Sequence, residues 1–93
     1  MSNNPSNLNP VRQKIDSIDK MLFTLLLERL ECSQQVAAIK KETNKDVFDA
    51  RREEEIIAKL EGWIEEEELT EHKNRILQLW STMLELSRDI QNK

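Results

Sequence analysis

Two fixed positive charges, Arg29 and Lys40, fall on the wrong side of a helix. The stretch LLLERLECSQQVAAIK, residues 25–40, has the apolar period of an amphipathic helix. At 3.6 residues per turn, Glu28, Glu31 and Gln35 form its polar side. Arg29 and Lys40 instead join the apolar stripe of Ile15, Ile18, Leu22, Leu25, Cys32, Val36 and Ile39. The pattern repeats downstream. The stripe of Ile56, Ile57 and Leu60, extended backwards, meets Arg52, Glu53 and Asp49, and that of Leu77, Trp80, Met83 and Leu84 runs on into Ser87 and Gln91. Singly, each residue has an ordinary explanation. An inward Arg or Lys snorkels to solvent or pairs with a carboxylate such as Glu53. Ser87 can bond back to its own helix, and Gln91 can fray at the chain end. Arg12 lies about 100° around the helix from Arg29 and on one chain counts as surface.

Together they specify a ligand. Inward cations outnumber inward carboxylates in a protein that is acidic overall. Burying unpaired cations costs several kcal/mol each, so the surplus implies a missing anion. Arginine forks suit carboxylates. Lys40, Ser87 and Gln91 add donors, and Glu53 adds an acceptor for a hydroxyl. The specified pocket is one for a small dianion bearing a hydroxyl. The single histidine, His72, is expected in solvent at the start of a helix, and there is neither a second cysteine nor a Gly-rich phosphate loop. Acid–base, thiol and metal mechanisms are therefore poorly supported, and no cofactor or metal is expected. The chemistry would be positioning plus electrostatics.

The elements that must hold these residues are helical. Ninety-three residues make one small domain with a limited core. One Gly, two Pro, no Tyr and 34% charged residues over long periodic stretches predict an all-α chain. Residues 1–8, rich in Asn and Ser, are expected to be a disordered tail, and 9–93 the helical domain. Asn9 as cap and Pro10 at the first helical position open a helix that runs to about Glu42. TNKDVFD breaks it, and Asp49 caps a second helix carrying Ile56, Ile57, Leu60 and Ile64 inward. Gly62, about 1 kcal/mol worse than Ala in a helix, is expected to bend it or end it early. Thr70 starts a third helix, with Ile76, Leu77, Trp80, Met83, Leu84 and Ile90 as its inner stripe. The acidic run Glu65 to Glu68 reads as a solvated corner, since metal ligands need convergence rather than adjacency.

Composition also bounds partners and assembly. A net charge of −4 disfavours nucleic acid. Cys32 permits no internal disulfide and is expected as a small buried hydrophobe in a reducing compartment. MSNNPSNLNP lacks the cationic start and apolar run of a signal peptide, and no stretch approaches the ~20 apolar residues of a membrane span. The expected location is the cytoplasm. The first helix is a rod of roughly 45–50 Å, whereas a compact domain of this length is only about 32 Å across. A second chain lying antiparallel along the overhanging stripe predicts an intertwined homodimer.

Four separated motifs resemble the all-helical class of chorismate mutases, the enzymes that rearrange chorismate to prephenate in phenylalanine and tyrosine synthesis. VRQKIDSIDKMLFTLLLERLE is similar to the family's opening helix, AIKK to the segment with its lysine, VFDARREEEII to its second-helix start, and LELSRDIQ to its closing S-R-x-x-Q. The resemblance runs from Leu8 to Gln91; it departs at EEEEL, where the family often has Gly before the Leu. It implies that Arg29, and Arg12 from the partner chain, hold the two carboxylates with help from Ser87. Lys40 and Gln91 would donate to the ether oxygen. Glu53 and the backbone N–H of Asp49 would hold the ring hydroxyl, and Arg52 would support the carboxylate end. Two alternatives stand beside it: an isochorismate pyruvate-lyase on the same helical plan, which the intact DARRE segment disfavours, and a non-catalytic helical dimerisation or regulatory module. Whether the chain is free-standing or part of a bifunctional enzyme is left open.

Overall fold

The computed structural model describes residues 7–43 and 49–92. They form α1 (Asn9–Glu42), α2 (Ala50–Glu66), a 3₁₀ turn (Thr70–His72) and α3 (Lys73–Gln91), with no strand among the described residues. The breaker TNKDVFD is described only at its ends, and residues 1–6 of the expected tail also lie outside the described residues. No helix is long and apolar enough to cross a membrane among the described residues.

The start of α1 sits one residue earlier than its Asn-Pro signal. The Leu8 carbonyl accepts the first helical bond, from Arg12 N at 2.9 Å, and Asn7 Oδ1 accepts from Asn9 N at 3.1 Å. Asn7 thus supplies the capping oxygen, and Pro10 still falls in the first turn, where a missing N–H costs nothing. At the other end Lys40 and Lys41 occupy the last turn, favourable for the macrodipole. α2 begins as its sequence directs. Asp49 is extended (φ −125, ψ 92), and its Oδ1 accepts from Arg52 N at 3.1 Å.

The chain divides into two units, residues 1–32 and 33–93, with the boundary inside α1. In the first, the described residues are a rod of helix most of whose apolar side chains are exposed: Ile15 is 50%, Leu22 59% and Leu25 60% accessible. In the second, α2 packs on α3 around a small core of Leu60, Ile64 and Leu84, the expected inner residues of those helices. Lys73 Nζ lies 3.0 Å from Glu61 Oε2 across the α2–α3 pair.

The expected phase of α1 is corrected. Cys32 is exposed, as are Val36 and Ile39, whereas Ser33 is buried and Leu26, Arg29, Leu30, Ala37 and Lys40 are half-buried. The covered arc is 26–30–33–37–40, about one residue out of step with the stripe read from the apolar period. Three consecutive leucines, Leu25 to Leu27, make the hydrophobic arc wide enough to accommodate either phase. The two inward cations survive the correction, because they lie on the side that the two phases share.

Gly62 does not end α2; the helix continues to Glu66. A Cβ there would meet nothing within 4 Å. The helix stops instead at Glu68, which adopts the left-handed conformation (φ 55). Glu68 N donates to Glu65 O at 3.1 Å and Leu69 N to Ile64 O at 3.0 Å, the paired bonds of a left-handed C-cap. Glycine is the usual residue at this position, because any side chain there costs roughly 1–2 kcal/mol. Glu68 also adds to the acidic run at the negative end of the helix dipole. Glu68→Gly is therefore expected to stabilise the protein by about 1 kcal/mol, after allowance for glycine's greater freedom when unfolded. Urea unfolding at one protein concentration checks it: the midpoint should rise with an unchanged slope. An unmoved midpoint would show that the C-cap carries no strain.

Candidate active site

Three helices converge through two contacts in the second unit. The Ser33 and Ser87 hydroxyls hydrogen-bond to each other, joining α1 to α3. Both residues are buried. Adjacent to Ser87, Arg88 Nη1 lies 3.5 Å from Glu53 Oε1, joining α3 to α2. Those side chains are 32% and 23% exposed, so the pair is partly shielded from water. Ser33, Ser87, Arg88 and Glu53 form one polar seam.

Gln91 lies one turn beyond Ser87 on the same face of α3. It is half-buried, and its Oε1 is fully buried and accepts no hydrogen bond from the described residues. Such an acceptor is expensive, about 1–3 kcal/mol, and native proteins rarely leave one without purpose. Its burial removes the reading of Gln91 as a frayed, solvated end. Lys40, two turns after Ser33, is half-buried near the C-terminus of α1.

The other expected site residues stand differently. The Asp49 carboxylate is committed to capping α2, which leaves any ligand role to its backbone. Arg52 is exposed and sits 3.5 Å from Glu55 Oε2 on its own helix, a pair of small energetic weight. Arg29, half-buried, and Arg12, exposed, belong to the first unit.

A groove of ≈ 620 Å³ runs between α2 and α3, lined by Glu53, Glu54, Ile57, Leu84, Glu85 and Arg88 among others. Of the expected site residues only Glu53 lines it. With several glutamates against one arginine it repels dianions, so it is not the cationic pocket that the sequence specifies. Glu53 and Arg88 belong both to that groove and to the polar seam. Among the described residues no group of three or more His, Cys, Asp or Glu is placed to hold a metal ion.

Sequence reasoning missed two members of the seam. Ser33 follows Arg29 by four residues and precedes Lys40 by seven, so the spacing of the two inward cations already pointed to it. Arg88 left no such trace, because its partner Glu53 lies on another helix.

Comparison with known proteins adds one finding. Residues 11–92 match the model of a family described as chorismate mutase type II. All the expected site positions, from Arg12 to Gln91, lie inside the match. No curated protein and no solved structure matches the chain.

Proposed function

The chain belongs to the chorismate mutase type II family, and from that premise we propose that it isomerises chorismate to prephenate in the cytoplasmic synthesis of phenylalanine and tyrosine. The match over residues 11–92 carries this reading, since it contains every residue that the reaction would use. The reaction is a unimolecular sigmatropic rearrangement in which a C–O bond breaks as a C–C bond forms. No side chain need become bonded to substrate or exchange a proton. The protein's tasks are to hold the compact diaxial conformer and to stabilise the charge that separates in the transition state.

The proposed roles follow the substrate's groups. Arg29, with Arg12 of the partner subunit and Ser87, takes the two carboxylates; Arg52 supports that end electrostatically. Lys40 and Gln91 donate to the ether oxygen, which becomes negative as the C–O bond opens. Glu53 and the Asp49 N–H hold the ring hydroxyl. The half-burial of Gln91 supports this reading, because its Oε1 accepts no hydrogen bond from the described residues while its amide N–H groups can donate to the breaking bond. The half-burial of Arg29 and Lys40 supports it as well.

A direct assay tests the function: purified protein should consume chorismate absorbance and yield prephenate. Salicylate and pyruvate from isochorismate, with chorismate untouched, would replace this reading by a lyase.

The proposed enzyme is a homodimer. Its support is the exposed apolar series Val11, Ile15, Ile18, Leu22 and Leu25, a face whose extent marks an interaction surface, beside a core of only three buried apolar residues among those described. The partner-supplied Arg12 makes this testable. Arg12→Ala and Glu53→Ala homodimers should each be poorly active. After subunit exchange, half of a statistical mixture should be heterodimer, with one intact site in each. Activity should then rise toward about a quarter of wild type, since sites rather than dimers are counted. A mixture no more active than its parents would place Arg12 in its own chain's site or in none.

A further inference from the structure

Among the described residues that line the groove between α2 and α3, Glu53, Glu54, Glu61 and Glu85 are acidic and Arg88 alone is basic. Arg88 Nη1 stands 3.5 Å from Glu53 Oε1, and the two side chains are 32% and 23% exposed. The sense of this contact is fixed, since a guanidinium only donates and an ionised carboxylate only accepts. Nor does the contact exhaust either group. Arg88 has a further interaction of its own, and a fork of five N–H donors can serve two partners. Glu53 has a second oxygen, Oε2, whose lone pairs can accept a hydroxyl. A partly exposed ion pair contributes little to stability. The reason for this one is therefore to be sought in what it does to Glu53.

We propose that Arg88 is a positioning residue for Glu53: its guanidinium holds the carboxylate through Oε1 and offsets its charge, so that Glu53 can accept the ring hydroxyl of a dianionic substrate. The inference rests on the proposed function, in which Glu53 holds that hydroxyl. Two physical effects make it. A glutamate has three side-chain torsions, the last of them broad, and a contact at Oε1 selects among their combinations before substrate arrives. The second effect is electrostatic. A bare carboxylate repels a dianion, the more so in a groove that also holds Glu54, Glu61 and Glu85. A guanidinium at 3.5 Å turns Glu53 into an acceptor whose charge is largely offset. Glu53 then accepts a hydroxyl without driving off the molecule that carries it.

Kinetics separate this role from packing. The hydroxyl contact is made in ground state and transition state alike, so its loss appears in KM rather than kcat. Arg88→Met should raise KM for chorismate about 5- to 30-fold, while kcat stays within about threefold of wild type. In a Glu53→Gln background the same change should move KM by less than about twofold, because no carboxylate is left to orient or offset. The comparison also separates anything Arg88 does through a partner other than Glu53, since that contribution persists in both backgrounds. Arg88→Lys keeps the charge without the fork and should raise KM less than Arg88→Met. It carries the same comparison should Arg88→Met fail to fold. Equal KM effects in the two backgrounds would overturn the proposal and show that Arg88 acts without Glu53. A lower Tm with unchanged KM in Arg88→Met would overturn it too, and leave Arg88 as packing. Either result with an active wild type ends this inference alone; a wild type inert toward chorismate ends the proposed function and this inference with it.

Discussion

Arg29→Ala is expected to remain folded and to lose roughly 30- to 5,000-fold in kcat/KM, the equivalent of about 2–5 kcal/mol of transition-state binding. The physical basis is the position of the side chain. Arg29 stands half-buried on the covered arc of α1, where a guanidinium is partly stripped of water and a carboxylate contact is correspondingly strong. A surface arginine outside the site would give a small effect; Arg12, exposed in the chain taken alone, is expected to matter only through the partner's site. Helix content and Tm of Arg29→Ala establish that the fold survives; steady-state kinetics then read the loss. Arg29→Lys should recover only part of it, because an ammonium keeps the charge but not the planar fork. A folded Arg29→Ala protein with near-normal kcat/KM would remove Arg29 from the site, and with it the explanation of why a cation occupies that arc.

That arc also shows how far the sequence could be read. Caps and breakers are local chemistry, so they placed the helices well. Asp49 announced the start of α2, and Glu42 closed α1 where the apolar period ended. The inner faces of α2 and α3 were legible for the same reason, since each has a narrow stripe and a clear polar opposite. The phase of α1 was not. Leu25, Leu26 and Leu27 give it an apolar arc wide enough for two surfaces, and periodicity counts apolar residues without saying which surface each one meets. Cys32 was consequently expected inside, and Ser33, one residue on, took that place. The end of α2 was hidden differently: four successive glutamates contain no glycine to mark the left-handed residue, and only Leu69 after them fits the cap. In the site, types and spacing found the donors and the acceptor, because helical period brings residues three, four and seven apart onto one face. The Glu53–Arg88 pair joins two helices, and its existence depends on their tertiary register, which no spacing within one helix encodes.

Gln91 supplies the second large effect, and its chemistry makes the test unusually direct. The amide does not titrate, so it can donate at every ordinary pH. Gln91→Ala removes the donor and should cost about 2.7–4 kcal/mol in the barrier, a loss of roughly 10²–10³ in kcat, by comparison with donors that stabilise developing oxyanions. Gln91→Glu keeps the reach and exchanges the chemistry. An ionised carboxylate only accepts, and it would repel the ether oxygen as that atom becomes negative; a protonated one can donate. The variant should therefore be most active in acid and lose rate as pH rises through the pKa of the new carboxyl. The reference value for Glu is about 4.3; a dianionic substrate nearby raises it, and Lys40 lowers it. The sign follows from the form that works: the competent species is the protonated one, so activity falls with rising pH, whereas wild type shows no such fall from this position. The burial of Oε1 at the end of α3 strengthens the expectation, because a carboxylate placed there would lie in a shielded environment that favours its neutral form. Stopped assays of kcat against pH for both proteins, with helix content checked at each pH, give the comparison. If Gln91→Glu followed the wild-type profile at every pH, the residue would not touch the breaking bond, and Lys40 would be left as the only proposed donor to the ether oxygen.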